Sequence, residues 1–161
     1  MKILSLVMFF FGVFSFAQEK EIVKILNSEL QKEIKNQFKH PLFNGDTLSI
    51  VQEFQIDANK ILSVEVKRNS VYGTVIERQE VPLSKIINVG KDINIILDTQ
   101  SDDVKNVVKN FYKDQNKEEF VSTSTMFFTH IRIPNNEYVG EDLIKAFAKA
   151  GFKIEKTYWF D

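Results

Sequence analysis

The spacing of apolar residues switches between helical and strand periods along the chain. From Glu19 to Phe38, Ile22, Ile25, Leu26, Leu30, Ile34 and Phe38 recur at three and four with lysines and glutamates between them, which puts one apolar stripe on a helix. Pro41 and Gly45 end it. Between Thr47 and Arg68 the period drops to two. Leu48, Ile50, Phe54 and Ile56 alternate with Ser49, Glu53 and Gln55, then Leu62, Val64 and Val66 alternate with Ser63, Glu65 and Lys67. This predicts a hairpin turning at Asp57-Ala58-Asn59-Lys60, with the first set of each strand toward the core and the second toward water.

A turn at Asn69-Ser70 leads into Val71 to Val81, where Val71, Gly73 and Val75 share one face and Tyr72, Thr74, Ile76, Arg78 and Glu80 the other. Pro82 stops that strand. After a short Leu83 to Ile87 segment and a turn at Gly90-Lys91, Ile93, Ile95 and Leu97 mark a fourth strand, and the simplest connection is an antiparallel meander. Val104, Val107, Val108 and Phe111 return to helical spacing, with Ser101 placed to cap and Asp102 and Asp103 in the first turn, where carboxylates suit the helix dipole. A strand is expected from Phe120 to Ile133, turning at Asn135-Asn136. A helix carrying Leu143, Ala146, Phe147 and Ala150 closes at Gly151, and Phe152 to Phe160 reads as a last strand. The fold class is α+β: an antiparallel sheet, a four-strand meander plus later strands, with helices packed on one face. The element order is α-β-β-β-β-α-β-α-β after an N-terminal leader.

That leader is the stretch MKILSLVMFFFGVFSFA. Lys2 supplies a positive start, and Ile3 to Phe14 form an apolar run broken only by Ser5 and Gly12, which is short of the roughly 20 apolar residues that span a bilayer. Ser15 and Ala17 are the small residues a signal peptidase accepts, and the polar Gln18-Glu19-Lys20-Glu21 follows at once. Residues 1–17 are expected to be a secretory signal cleaved between Ala17 and Gln18, leaving 18–161 as one exported α+β domain, periplasmic or secreted, with no membrane association after cleavage. The chain has no cysteine, which removes disulfides, thiol nucleophiles and thiolate metal sites together. With 21 basic and 22 acidic residues there is no excess charge to draw nucleic acid.

Chemistry-bearing residues are sparse. His40 and His130 lie far apart, without a second ligand at zinc spacing, and Asp98, Asp102 and Asp103 lack the glycine and glutamate of a calcium loop. No metal or other cofactor is expected. No Gly-x-Ser-x-Gly elbow or phosphate-cradling glycine loop occurs. Aromatic Tyr158-Trp159-Phe160 suits a core strand better than a recognition tail. The pattern therefore favours a non-catalytic binding or interaction domain whose partner is a protein or a small polar ligand. The competing classes are an exported hydrolase of small polar substrates using a carboxylate pair, and an inhibitor of a secreted protein.

The expected sheet has a core face with Leu48, Ile50, Phe54, Leu62, Val64, Val66, Val75, Ile93, Ile95 and Leu97, covered by three helices. On the opposite face Tyr72, Met126 and Phe128 are large groups ringed by the donors Arg78, His130 and Arg132, a mixture common in partner surfaces. Those six residues are the candidate binding site.

Overall fold

The structure, a computed structural model of the chain, describes residues 2–39, 43–112 and 117–160, with side chains from Gln18 onward. Helix α1 (Lys2–Asn36) continues into a 3-10 turn, Gln37–Lys39. It passes without a break through the Ala17–Gln18 junction. Its packing is described from Glu19, which is buried and ion-paired to Lys60 at 2.5 Å, and from Ile22, Leu26 and Leu30, all fully buried. Among the described residues no helix is long and apolar enough to cross a membrane.

Strands β1 (Thr47–Ile56), β2 (Ile61–Ser70) and β3 (Gly73–Pro82) form an antiparallel meander. The first hairpin turns where the sequence places it, because Asp57 Oδ1 accepts hydrogen bonds from the backbone of Asn59 and Ile61 while Lys60 takes a left-handed φ of 63°. Leu62, Val64 and Val66 are buried as expected, each in register with its β3 neighbour: Leu62 opposite Val81, Val64 opposite Gln79, Val66 opposite Glu77. Ser63, expected to face water, is buried and takes a hydrogen bond from Gln52 at 3.3 Å. The second turn lies at Val71-Tyr72, two residues beyond its expected place.

The fourth strand of this sheet is not the Ile93 to Leu97 segment. It is β6 (Val104–Tyr112), which pairs with β3 and is flanked by β7 (Lys117–Ser124), so the five-stranded order is β1-β2-β3-β6-β7. The stretch expected as a helix from Val104 is thus a strand. Three valines stiff at χ1 favour the pleated backbone, and each face of the strand is only half-buried, so no clean alternation marks it. Ser101 and Asp103 accordingly cap nothing: they turn the chain between strands, with Asp103 paired to Lys85 at 3.5 Å.

The second sheet has the order β8-β5-β4-β9, from β4 (Ile86–Lys91), β5 (Ile95–Thr99), β8 (Met126–Phe128) and β9 (Glu155–Trp159). Gly90 and Lys91 lie inside β4, and the turn falls instead at residues 92–94, leaving Ile93 58% exposed rather than in the core. The long strand expected from Phe120 to Ile133 divides: β7 belongs to the first sheet, β8 to the second, and 129–133 continues as irregular backbone. Among the described residues there are two α-helices, not three. The second, α2 (Glu137–Lys149), closes as expected at Gly151, whose φ is +87°. It presses Gly140 against Trp159, where an added Cβ would stand 2.6 Å from the indole ring.

Helix α1 packs on β1 and on α2, and α2 packs on β4 and β9. One buried cluster runs through all these layers, joining Ile22, Leu26 and Leu30 to Phe54, Val64, Leu97, Phe127, Leu143 and Phe147. The architecture is α+β with an antiparallel five-stranded sheet, a smaller second sheet and two helices.

Three amide side chains lock these layers by the same device. Asn27 donates to the carbonyl of Phe54 at 2.9 Å and accepts from its N–H at 2.8 Å. Gln37 does the same to Leu48 at 3.1 and 2.7 Å, and Gln79 to Phe128 at 3.1 and 2.9 Å. Each amide stands in for a neighbouring strand where the ladder ends, so buried backbone groups keep their partners.

Candidate functional site

A cleft of about 240 Å³ opens where the first sheet is left uncovered by α1. Its walls come from four places: the approach to β1 and its first residues (Phe43, Asn44, Asp46, Thr47, Leu48), Arg68 near the end of β2, Ile93 and Asn94 of the β4–β5 turn, and His130 and Arg132 of the segment after β8.

The segment carrying His130 and Arg132 is held on three sides. Thr129 donates its N–H and hydroxyl to the carbonyl of Ile95, at 3.1 and 2.8 Å, and Ile131 accepts from Ile95 N–H at 2.9 Å. From α1, the buried Glu33 carboxylate accepts the backbone N–H groups of Arg132 and Ile133 at 2.8 and 2.9 Å, and the Nε of Arg132 at 3.3 Å. From β3, Gln79 holds Phe128. Between these anchors His130 adopts a left-handed φ of 60°. That conformation costs a non-glycine residue roughly 1–2 kcal/mol, which the surrounding bonds must sustain.

His130 is buried at the base of the cleft, with Nε2 at 3.4 Å from the Gln79 amide nitrogen and 4.0 Å from the Glu77 carboxylate. Burial, reinforced by the positive Arg68 and Arg132, lowers its pKa to about 4, so the ring is neutral at ordinary pH and Nε2 can accept from Gln79. Burial also raises the Glu77 carboxyl above its usual range, with Arg68 opposing the shift. The two guanidiniums differ in standing. Arg132 has its Nε committed to Glu33, which fixes its direction. Arg68 is exposed on the same row of the sheet as Leu48 and Val75, with no ion pair of its own among the described residues. The cleft thus offers two cationic forks, amide groups from Asn44 and Asn94, a hydroxyl from Thr47, one carboxylate from Asp46, and apolar walls from Phe43 and Ile93.

Of the six residues expected to form one site, His130 and Arg132 meet here. The other four lie elsewhere. Arg78 points from the opposite face of the sheet, bonded to Glu80 at 2.8 Å and Gln52 at 3.0 Å and paired with Glu65 at 3.6 Å. Tyr72 is 81% exposed in the β2–β3 turn. Met126 and Phe128 sit on β8, the former exposed and the latter half-buried beside Gln79. The common face fails because the strand expected to carry the late residues breaks at Thr125 and reverses its phase at His130. Arg68, Asn94 and Asp46 were missed, although Arg68 carried a signal: it is a charge in phase with Leu62, Val64 and Val66. His40 lies outside the described residues. Among those residues no group of three or more histidines and carboxylates could hold a metal ion.

No family model, curated protein or solved structure matches the chain.

Proposed function

We propose that this is an exported, non-catalytic domain that binds a small polar molecule through its carboxylate, in the cleft between Arg68 and Arg132. The observation that supports it best is the exposed Arg68 guanidinium, which has no ion pair among the described residues, in the same cleft lining as an Arg132 already oriented by Glu33. Paired guanidinium forks recognise carboxylates bidentately and with charge-assisted hydrogen bonds. Asp46, Asn44 and Asn94 supply acceptors and donors for the remainder of the ligand, and Phe43 and Ile93 shield it from water. Binding is favoured over hydrolysis by a carboxylate pair because, among the described residues, Asp46 is the single carboxylate in the lining. Export rests on residues 1–17, and the secreted form begins at Gln18. Intact mass of protein recovered from an exporting host checks that boundary.

Thermal unfolding with acetate, succinate, citrate, glycine, glutamate and inorganic phosphate as probes tests the binding proposal. At least one carboxylate should raise Tm, because a ligand at 100 times its Kd stabilises the folded state by about 2.7 kcal/mol. Arg68→Gln should abolish that shift while leaving the unliganded Tm unchanged. No shift with any probe, or an equal shift in Arg68→Gln, overturns the proposal.

A further inference from the structure

We infer that the chain pairs with a second copy of itself through β7, edge to edge and antiparallel, continuing the five-stranded sheet into the partner.

The sheet edges of the molecule are treated unequally. At β1 the outward backbone groups of Leu48 and Phe54 are taken by Gln37 and Asn27, and the strand is broken by two register shifts. At β8 only three residues are strand, and Gln79 takes up Phe128. At β9 the pairing with β4 is itself irregular over five residues. These are the usual ways in which edges are made unavailable. β7 carries charges in its first three residues, Lys117, Glu118 and Glu119, but no capping amide, no register shift and no shortening. It runs eight residues in unbroken register with β6, from Ser124 opposite Val104 to Lys117 opposite Phe111, and among the described residues no hydrogen bond reaches its outer edge. At its centre Phe120 is 52% and Val121 63% exposed, one on each face of the sheet.

The residue order of β7 suits pairing with itself. Partners across an antiparallel ladder share a face, so a two-fold axis must bring one residue opposite its own copy. With Phe120 opposite Phe120, Glu118 meets Ser122, Glu119 meets Val121 and Lys117 meets Thr123 of the second copy. With Val121 opposite Val121, Glu119 meets Thr123 and Glu118 meets Ser124. Both registers bury the exposed apolar pair and set the acids against uncharged residues. Moving the axis toward the start of the strand sets Glu119 against Glu119 or Glu118 against Glu118, and directly opposed like charges are destabilising. Nothing comparable opposes the two central registers.

The test uses the purified protein and needs no partner. Sedimentation equilibrium should show a mass rising with concentration toward twice the monomer, and Phe120→Lys combined with Val121→Lys should hold it at the monomer mass with an unchanged circular dichroism spectrum. Because the natural chain has no cysteine, single-cysteine variants report the register directly. A residue opposite its own copy on the axis brings two Cβ atoms within disulfide reach. Phe120→Cys or Val121→Cys should therefore give a covalent dimer on mild oxidation, in preference to Glu119→Cys. Monomer mass at every concentration, a dimer that survives the double lysine variant, or stronger cross-linking at Glu119→Cys than at both central positions would each overturn the inference. Should the double variant fail to fold, the cysteine variants still decide it.

Discussion

Replacing His130 with asparagine should flatten the acid limb of the stability curve. In the fold the imidazole is lowered from 6.5 to about 4, first by burial and then by the positive Arg68 and Arg132. Between those two pH values the unfolded chain holds a proton on His130 that the folded chain does not, so unfolding is favoured progressively as the pH falls. The contribution is fully present above pH 6.5 and is lost as the pH drops toward about 4. The displacement is about two and a half pKa units at 1.36 kcal/mol each, which gives about 3 kcal/mol across the window. Asparagine tolerates the left-handed backbone at this position and can still accept from Gln79, so the substitution removes the titration without forcing the chain to move. Lost contacts lower the whole curve by an amount that does not depend on pH. Glu77, which faces His130 from β3, acts in the opposite sense: its raised pKa contributes stability below its ordinary 4.5 that is lost as the pH rises through the folded value. Both proteins carry Glu77, so the difference between them isolates the histidine. Urea titrations at pH 7, 5.5 and 4.5, followed by the fluorescence of the single tryptophan, Trp159, measure it. Wild-type and His130→Asn curves that stay parallel over this range would falsify the claim that the ring is buried in its neutral form.

Two further outcomes follow from the packing. Gln79→Ala should cost roughly 2–4 kcal/mol, since it strips the N–H and C=O of Phe128 of their partners as well as leaving a void, and amide exchange of 126–130 should accelerate with it. Val64→Ala should cost roughly 1–3 kcal/mol and Glu65→Ala no more than about 1 kcal/mol, because one is fully buried and the other loses only a partly exposed pair with Arg78; equal losses in a denaturant titration would mean the register of β2 is wrong.

The first hairpin was legible because three signals agree there: alternation on both strands, an Asx turn at Asp57, and a buried row of three aliphatic residues. α2 was legible for the same reason, with a stripe and a terminal glycine consistent. β6 was not. Val104, Val107, Val108 and Phe111 satisfy helical spacing, and only the pairing of β6 with β3 and β7, which no local pattern records, decides for the strand. The meander's fourth strand was misplaced by the same gap, since β5 is a strand as apolar as any in the meander yet pairs with β4 in a second sheet.

The cleft follows a different rule, in which polar residues appear in the phase of the core. Along β2 the buried row Leu62, Val64, Val66 ends in Arg68, and along β3 the row that closes with Val81 includes Gln79 and Glu77. A helix laid over those positions would have to bury a guanidinium and two further polar groups, each costing several kcal/mol if left unpaired. Helix α1 instead packs on β1, and the remaining part of the face receives a segment able to answer the polar groups: Phe128 with its backbone to Gln79, and His130 with a neutral ring beside Glu77. The same segment brings Arg132 to within reach of Glu33 and leaves Arg68 facing open space. Hydrophobic periodicity broken in phase, rather than polarity on the solvent face, was therefore the mark of the site. Arg78, on the solvent phase of β3, is taken up by Glu65, Glu80 and Gln52 and does not line the cleft.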